Sequence, residues 1–174
     1  AIGLREDDEL IGVKVTDGNK DVLLVTKEGM SIRFDENDIR PMGRSAMGVK
    51  GITLSNDDKV VSMSLCEEGT DVLVVSENGF GKRTELDEYR VQTRGGKGVI
   101  TYKVTPKTGN IVGIRIVEET DDVLLITDTG TIIRLNVAGI SVLGRSTQGV
   151  TLMRTNEGRV VSIEKITEKE EENG

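Results

Sequence analysis

The sequence predicts an all-β protein of propeller-like blades: three repeats of about 50 residues, four short strands in each. Three observations predict it. DVLLVTKEGMSIRF from Asp21 returns as DVLVVSENGFGKRT from Asp71 and DVLLITDTGTIIRL from Asp122, at spacings of 50 and 51 residues. A glycine-rich loop recurs in phase with it, as GRSAMGV from Gly43, TRGGKGV from Thr93 and GRSTQGV from Gly144. A third element occurs four times: LIGVKV from Leu10, VVSMSL from Val60, IVGIRI from Ile111 and VVSIEK from Val160. No segment carries a sustained helical period with caps.

Within a repeat, the run from Val22 to Val25 is continuously apolar, the pattern of a strand buried on both faces. Glu28-Gly29, Asn78-Gly79 and Thr129-Gly130 follow. Glycine there admits the positive φ that tight hairpins need. The second strands end in Arg33, Arg83 and Arg134, and a linker carries an apolar anchor at Ile39, Tyr89 and Ile140. The glycine-rich loop leads into strands headed by Val49, Val99 and Val150. The chain opens and ends on the element that closes each repeat, as a piece cut from a longer array would. Residues 10–15 are then expected to complete or link to a preceding blade. The alternative is a strand exchange that closes a free-standing three-blade unit. The expected divisions are an acidic segment at 1–9 with the start of a strand from a preceding blade, repeats at 10–65, 66–116 and 117–163, and an acidic tail at 164–174.

Composition excludes much chemistry. There is no His, which removes the commonest general base and metal ligand. The single Cys66 cannot form an internal disulfide and fits a reducing, cytoplasmic setting. Lys97 is followed by Gly98 and a strand, so the loop is no Walker P-loop. Asp7-Asp8, Asp57-Asp58 and Asp121-Asp122 read as turn residues. No catalytic residue, metal or cofactor is expected, and no apolar run approaches a bilayer span. The net charge of −7 is concentrated at the ends: residues 1–9 and 164–174 carry −3 each, leaving −1 for the body. A balanced body can still present a basic face.

The loops are the candidate site. Gly48, Gly98 and Gly149 recur where their neighbours do not, which points to backbone conformation. Arg44, Arg94 and Arg145 also recur. They suit phosphate contact, or pairing with an acid of their own repeat, or laying their stems over an apolar strand. Gly95, Gly96 and Lys97 occur only in the middle loop, where missing side chains let another backbone approach. Arg33, Lys82, Arg83 and Arg134 complete the leading phosphate-contact candidates. Arg40, Lys50, Arg90, Lys103 and Arg154 form a second tier. Repeated cations can track recurring phosphates without reading bases. Phe34, Phe80, Tyr89 and Tyr102 are too few for a single-strand stacking platform.

The segments DELIGVKV, RPMGRSAMGVKGI, NGFGKRTELDEY, KGVITYKVT, ITDTGTIIR and ISVLGRSTQGVTLMRT resemble, in order, the C-terminal domain of the bacterial DNA gyrase A subunit. The resemblance implies a β-pinwheel, a propeller-like disc whose blades exchange strands, and places this chain at the last three of six blades. It implies a non-catalytic module that wraps double-stranded DNA around its rim, within an ATP-dependent type II topoisomerase that introduces negative supercoils. The implied partners are DNA, the rest of the gyrase A subunit and the gyrase B subunit, with no membrane. The family's hallmark Gln-Arg-Arg-Gly-Gly-Lys-Gly is met at Gln92, Arg94, Gly95, Gly96, Lys97 and Gly98, but Thr93 replaces an Arg and the loop falls in the fifth blade. It therefore reads as the equivalent loop of a later repeat. The related domain of the topoisomerase IV A subunit and a propeller-like protein-binding scaffold are the alternative readings.

Overall fold

The structure, a computed structural model, describes residues 3–66, 70–156 and 158–166. Eleven strands are described: β1 (Asp21–Thr26), β2 (Met30–Asp35), β3 (Val60–Leu65), β4 (Asp71–Ser76), β5 (Phe80–Glu85), β6 (Val99–Ile100), β7 (Ile111–Val117), β8 (Asp122–Thr127), β9 (Ile132–Asn136), β10 (Val150–Thr151) and β11 (Val160–Ile166). They form three antiparallel sheets in the orders β3-β1-β2-β6, β10-β5-β4-β7 and β11-β8-β9. The all-β, blade-repeat fold class predicted from the sequence is the one observed.

The fourth strand of a blade comes from the next repeat. β6 pairs with β2, Met30 opposite Ile100 and Ser31 opposite Val99. β10 pairs with β5 in the equivalent register, Phe80 opposite Thr151 and Gly81 opposite Val150. The hairpin glycines make this possible. Gly29 and Gly79 have φ of +91° and +82°. A Cβ on either would lie 2.2 Å from the Tyr102 carbonyl oxygen or 2.3 Å from that of Met153. Each hairpin tip is thus a seat for the incoming segment of the following repeat.

Three sequence expectations are corrected. Residues 10–15 form no strand and are exposed. Val49 heads no strand, because its acceptor would be the hairpin of a blade before β1. Among the described residues the third sheet has three strands rather than four. The alternative, a strand exchange that closes a free-standing three-blade unit, is not formed among the described residues, where no strand joins the first and third sheets. One-turn 3-10 helices at Glu36–Asp38, Leu86–Glu88 and Val137–Gly139 also interrupt the linkers. β11 runs to Ile166, three residues into the acidic 164–174 segment, whose remaining residues lie outside those described.

The core lies between blades. Leu23 and Val25 of β1 pack against Val72 and Val74 of β4, while Leu73 and Val75 on the other face of β4 pack against Val123 and Leu125 of β8. This is why β4 is buried at every position; in β1 the predicted buried run Val22–Val25 is buried except at half-buried Leu24. In β8, alternate residues are only half-buried, since among the described residues one face of the third sheet has no blade against it.

Candidate nucleic-acid interface

The three second-strand arginines share one internal role. Arg33 meets Asp21 at 2.9 Å, Arg83 meets Asp71 at 3.0 Å and Arg134 meets Asp122 at 2.7 Å, each across its own hairpin. The register explains this: Leu23 lies opposite Arg33, so a side chain leaning two residues along β1 reaches Asp21. The same guanidinium then reaches the next blade. Arg33 Nη1 donates to the carbonyls of Leu86 and Tyr89, and Arg83 Nε donates to that of Ile140 at 2.8 Å. The 3-10 turns present these carbonyls, and the anchors Tyr89 and Ile140 are buried beside them. Arg83, 6% exposed, is a seam residue and has no surface to offer DNA. Arg134 is half exposed, with no following blade over it.

Lys82 is corrected in the same way. It is 0% exposed. Its Nζ donates to the carbonyls of Gly144 and Arg145 at 2.6 and 2.7 Å and to Thr147 Oγ1 at 3.0 Å, and lies 5.3 Å from the Tyr102 ring centre. Burial lowers its pKa from 10.5 to about 8; Glu88 opposes the shift and Arg145 adds to it. Its equivalents are Ile32 and Ile133, so this lysine occupies a core position and props the third loop from beneath. Burial likewise pushes the Cys66 thiol up to about 11 and the Tyr89 and Tyr102 phenols up to about 12. Tyr89 is hydrogen-bonded to Thr101 through its hydroxyl.

Each later glycine-rich loop is hydrogen-bonded to the segment that follows the loop before it. Gly3 donates to Ala46, Thr53 to Gly96 and Lys103 to Thr147, each through backbone N–H and at equivalent positions. The loop arginines staple neighbours together: Arg94 Nη1 donates to the Lys50 carbonyl at 3.1 Å and Arg145 Nη1 to that of Ile100 at 3.0 Å. Arg94 Nε also donates to the Asp38 carbonyl. Both are half-buried, whereas Arg44 is exposed. Gly48, Gly98 and Gly149 have φ of +87°, +77° and +75°. A Cβ at Gly98 or Gly149 would stand 2.0 or 2.5 Å from a carbonyl oxygen of the receiving strand. Gly95 also has positive φ, +86°. Gly96 does not, and a Cβ there would meet nothing nearer than 3.8 Å.

Solvent-facing charge in and beside these loops comes from Arg44 and Lys97, and from Arg40, Lys50, Arg90, Lys103 and Arg154, all exposed. The second tier of sequence candidates thus lies on the surface, while Lys82 and Arg83 of the first do not. Asp38, Asp87 and Glu88 are exposed on the adjoining 3-10 turns, so this surface is mixed rather than uniformly basic. Sequence reasoning passed over Lys59 and Arg159, exposed at one repeat position just before β3 and β11; that shared position was the available signal. Among the described residues no cluster of three potential metal ligands forms, and no helix is long and apolar enough to cross a membrane.

Strand-exchanging blades of this kind define a propeller-type repeat scaffold. The sequence matches the family described as DNA gyrase C-terminal domain, beta-propeller, over residues 1–17, 20–67, 70–118 and 121–167, and the chain belongs to that family. It is 54% identical over 173 residues to the DNA gyrase A subunit of Clostridium acetobutylicum, covering 99% of this chain and 21% of that protein. It is 62% identical over 162 residues to the DNA gyrase A subunit of Halalkalibacterium halodurans, covering 93% and 19%. The chain thus spans about a fifth of the length of these relatives. Among solved structures, a DNA gyrase A C-terminal domain superimposes with a TM-score of 0.91 at 28% identity, covering 95% of this chain and 57% of that one. The C-terminal domain of a DNA topoisomerase IV gives 0.89 at 30% identity, covering 95% and 52%.

Proposed function

We propose that this chain is a DNA-wrapping part of a gyrase A subunit, holding duplex DNA by its phosphate backbone and performing no catalysis of its own. The observation that carries the reading is the run of linked loops with Arg44, Lys97, Arg90, Lys103 and Arg154 exposed along them, in a chain of this family. Phosphates recur along a duplex, so cations repeated blade by blade can follow them as DNA bends around the edge. Bending costs roughly 1 to 6 kcal/mol per 20 to 30 base pairs, and several such contacts are needed to offset it. In the whole protein the module would serve ATP-dependent negative supercoiling, together with the remainder of the gyrase A subunit and the gyrase B subunit.

Within the candidate set the roles divide by exposure. In this reading Arg33, Lys82 and Arg83 hold the blades and loops in place, Arg94 and Arg145 do so in part, and the exposed residues meet DNA. The likeness to the topoisomerase IV domain keeps that enzyme as the second reading. The test is duplex affinity of the double variant Arg44→Gln, Lys97→Gln at low salt. Weaker binding with unchanged thermal stability is expected; unchanged binding would remove these residues from the interface.

A further inference from the structure

The 3-10 turns Glu36–Asp38 and Leu86–Glu88 each end on an exposed acid that stands against the glycine-rich loop of the next repeat. Asp38 meets Arg94 twice: its carbonyl accepts from Nε at 3.0 Å, and its Oδ2 accepts from the Arg94 backbone N–H at 3.4 Å. Glu88 holds the same repeat position against the third loop, its Oε1 3.8 Å from where a Cβ on Gly144 would stand. Glu88 and Arg145 act with opposite sign on the same two neighbours, Lys82 and Tyr89. The turns themselves do not need these acids. The third turn, Val137–Gly139, forms with glycine at that position, and the first is capped by Asp35.

We propose that Asp38 and Glu88 compete with DNA phosphate: each holds its carboxylate beside a loop arginine of the next repeat, so the loops bind duplex less tightly than their cations alone would allow. This rests on the DNA-wrapping reading above and adds a restraint to it. Arg94 and Arg145 are half-buried and spend part of their hydrogen bonding on the Asp38, Lys50 and Ile100 carbonyls. A guanidinium has five N–H donors, so each keeps some for a phosphate. An incoming phosphate must then share that cation with a carboxylate already in place. Exposed charges feel one another over about 10 Å at 0.1 M salt, and both acids lie well inside that range of their loop. A hold weakened loop by loop keeps the wrap reversible.

Asp38→Asn with Glu88→Gln tests this, since it removes both charges and keeps an oxygen acceptor at each place. The control, Glu28→Gln with Asp57→Asn, removes two exposed charges from outside the turns. Duplex affinity of the full chain is read by fluorescence anisotropy at low and at moderate salt. The turn variant should bind about two- to fivefold tighter for each acid removed at low salt. That gain should shrink as salt rises, and the control should gain less. Thermal melts of both variants should match wild type. Equal gains in the two variants, or none in either, while wild type binds, would overturn the competing role and leave the DNA reading standing. No binding by wild type or by either variant at low salt would overturn the DNA reading and this proposal with it.

Discussion

Arg83 Nη1 lies 3.0 Å from Asp71 Oδ2 inside the second blade, and Nε of the same guanidinium binds the Ile140 carbonyl of the third. One buried cation thus closes a hairpin and fixes the next blade to it. Removing either partner leaves a buried charge uncompensated, which costs about 3 to 5 kcal/mol. Arg83→Met or Asp71→Asn should lower the free energy of unfolding in urea by about that much. Arg134→Met, at the half-exposed pair, should cost no more than about 1 kcal/mol. Equal losses at the two sites would contradict the seam role assigned to Arg83.

The loop glycines separate by the same reasoning. Gly98→Ala forces a left-handed conformation and drives a methyl onto the Ser31 carbonyl. It should cost more than about 1 to 2 kcal/mol, the ordinary penalty for a side chain in that conformation. Gly96→Ala should be nearly silent in the same thermal melts. A destabilised Gly96→Ala protein would mean that the second glycine of the middle loop is also set by packing.

Lys82 gives the protein a pH signature. Unfolded, its amine holds a proton to near 10.5; folded, it releases it near 8. Between those values the unfolded chain binds more protons, so raising the pH favours the folded state through this group. Cys66, Tyr89 and Tyr102 act in the opposite sense, since their raised folded values favour the protonated native state and that stability is lost as pH rises from about 9 or 10 towards 11 and 12. Comparing wild type with Lys82→Met cancels these shared contributions. The stability difference, wild type minus variant, should move in favour of wild type from pH 8 to 10.5. A difference flat with pH would contradict the desolvation of Lys82.

Much of the fold was legible because the chain repeats itself. The hairpins, their glycines and the largely buried run Val22–Val25 follow from local pattern. The strand exchange could not be read from local pattern, because β6 and β10 are two-residue strands whose partners lie about 70 residues upstream. The 3-10 turns are one turn long and leave no helical period. For the site, the shared register located the loops but not the direction of each side chain. Arg33 and Arg83 stood in register with Asp21 and Asp71, a recurring spacing of 12 residues that predicts pairing once hairpins are drawn. Lys82 stands where the other repeats have Ile32 and Ile133, the signal that this position faces inward.

Binding of duplex DNA by this chain, read by fluorescence anisotropy from low to moderate salt, is the most direct test of the wrapping role. If the exposed loop cations contact phosphates, the logarithm of the binding constant should fall linearly with that of the salt concentration, with a slope of about −0.9 for each phosphate neutralised. Arg44→Gln with Lys97→Gln should make that slope shallower by about two. Absence of binding at low salt, or a slope near zero, would contradict the claim that these three blades hold DNA.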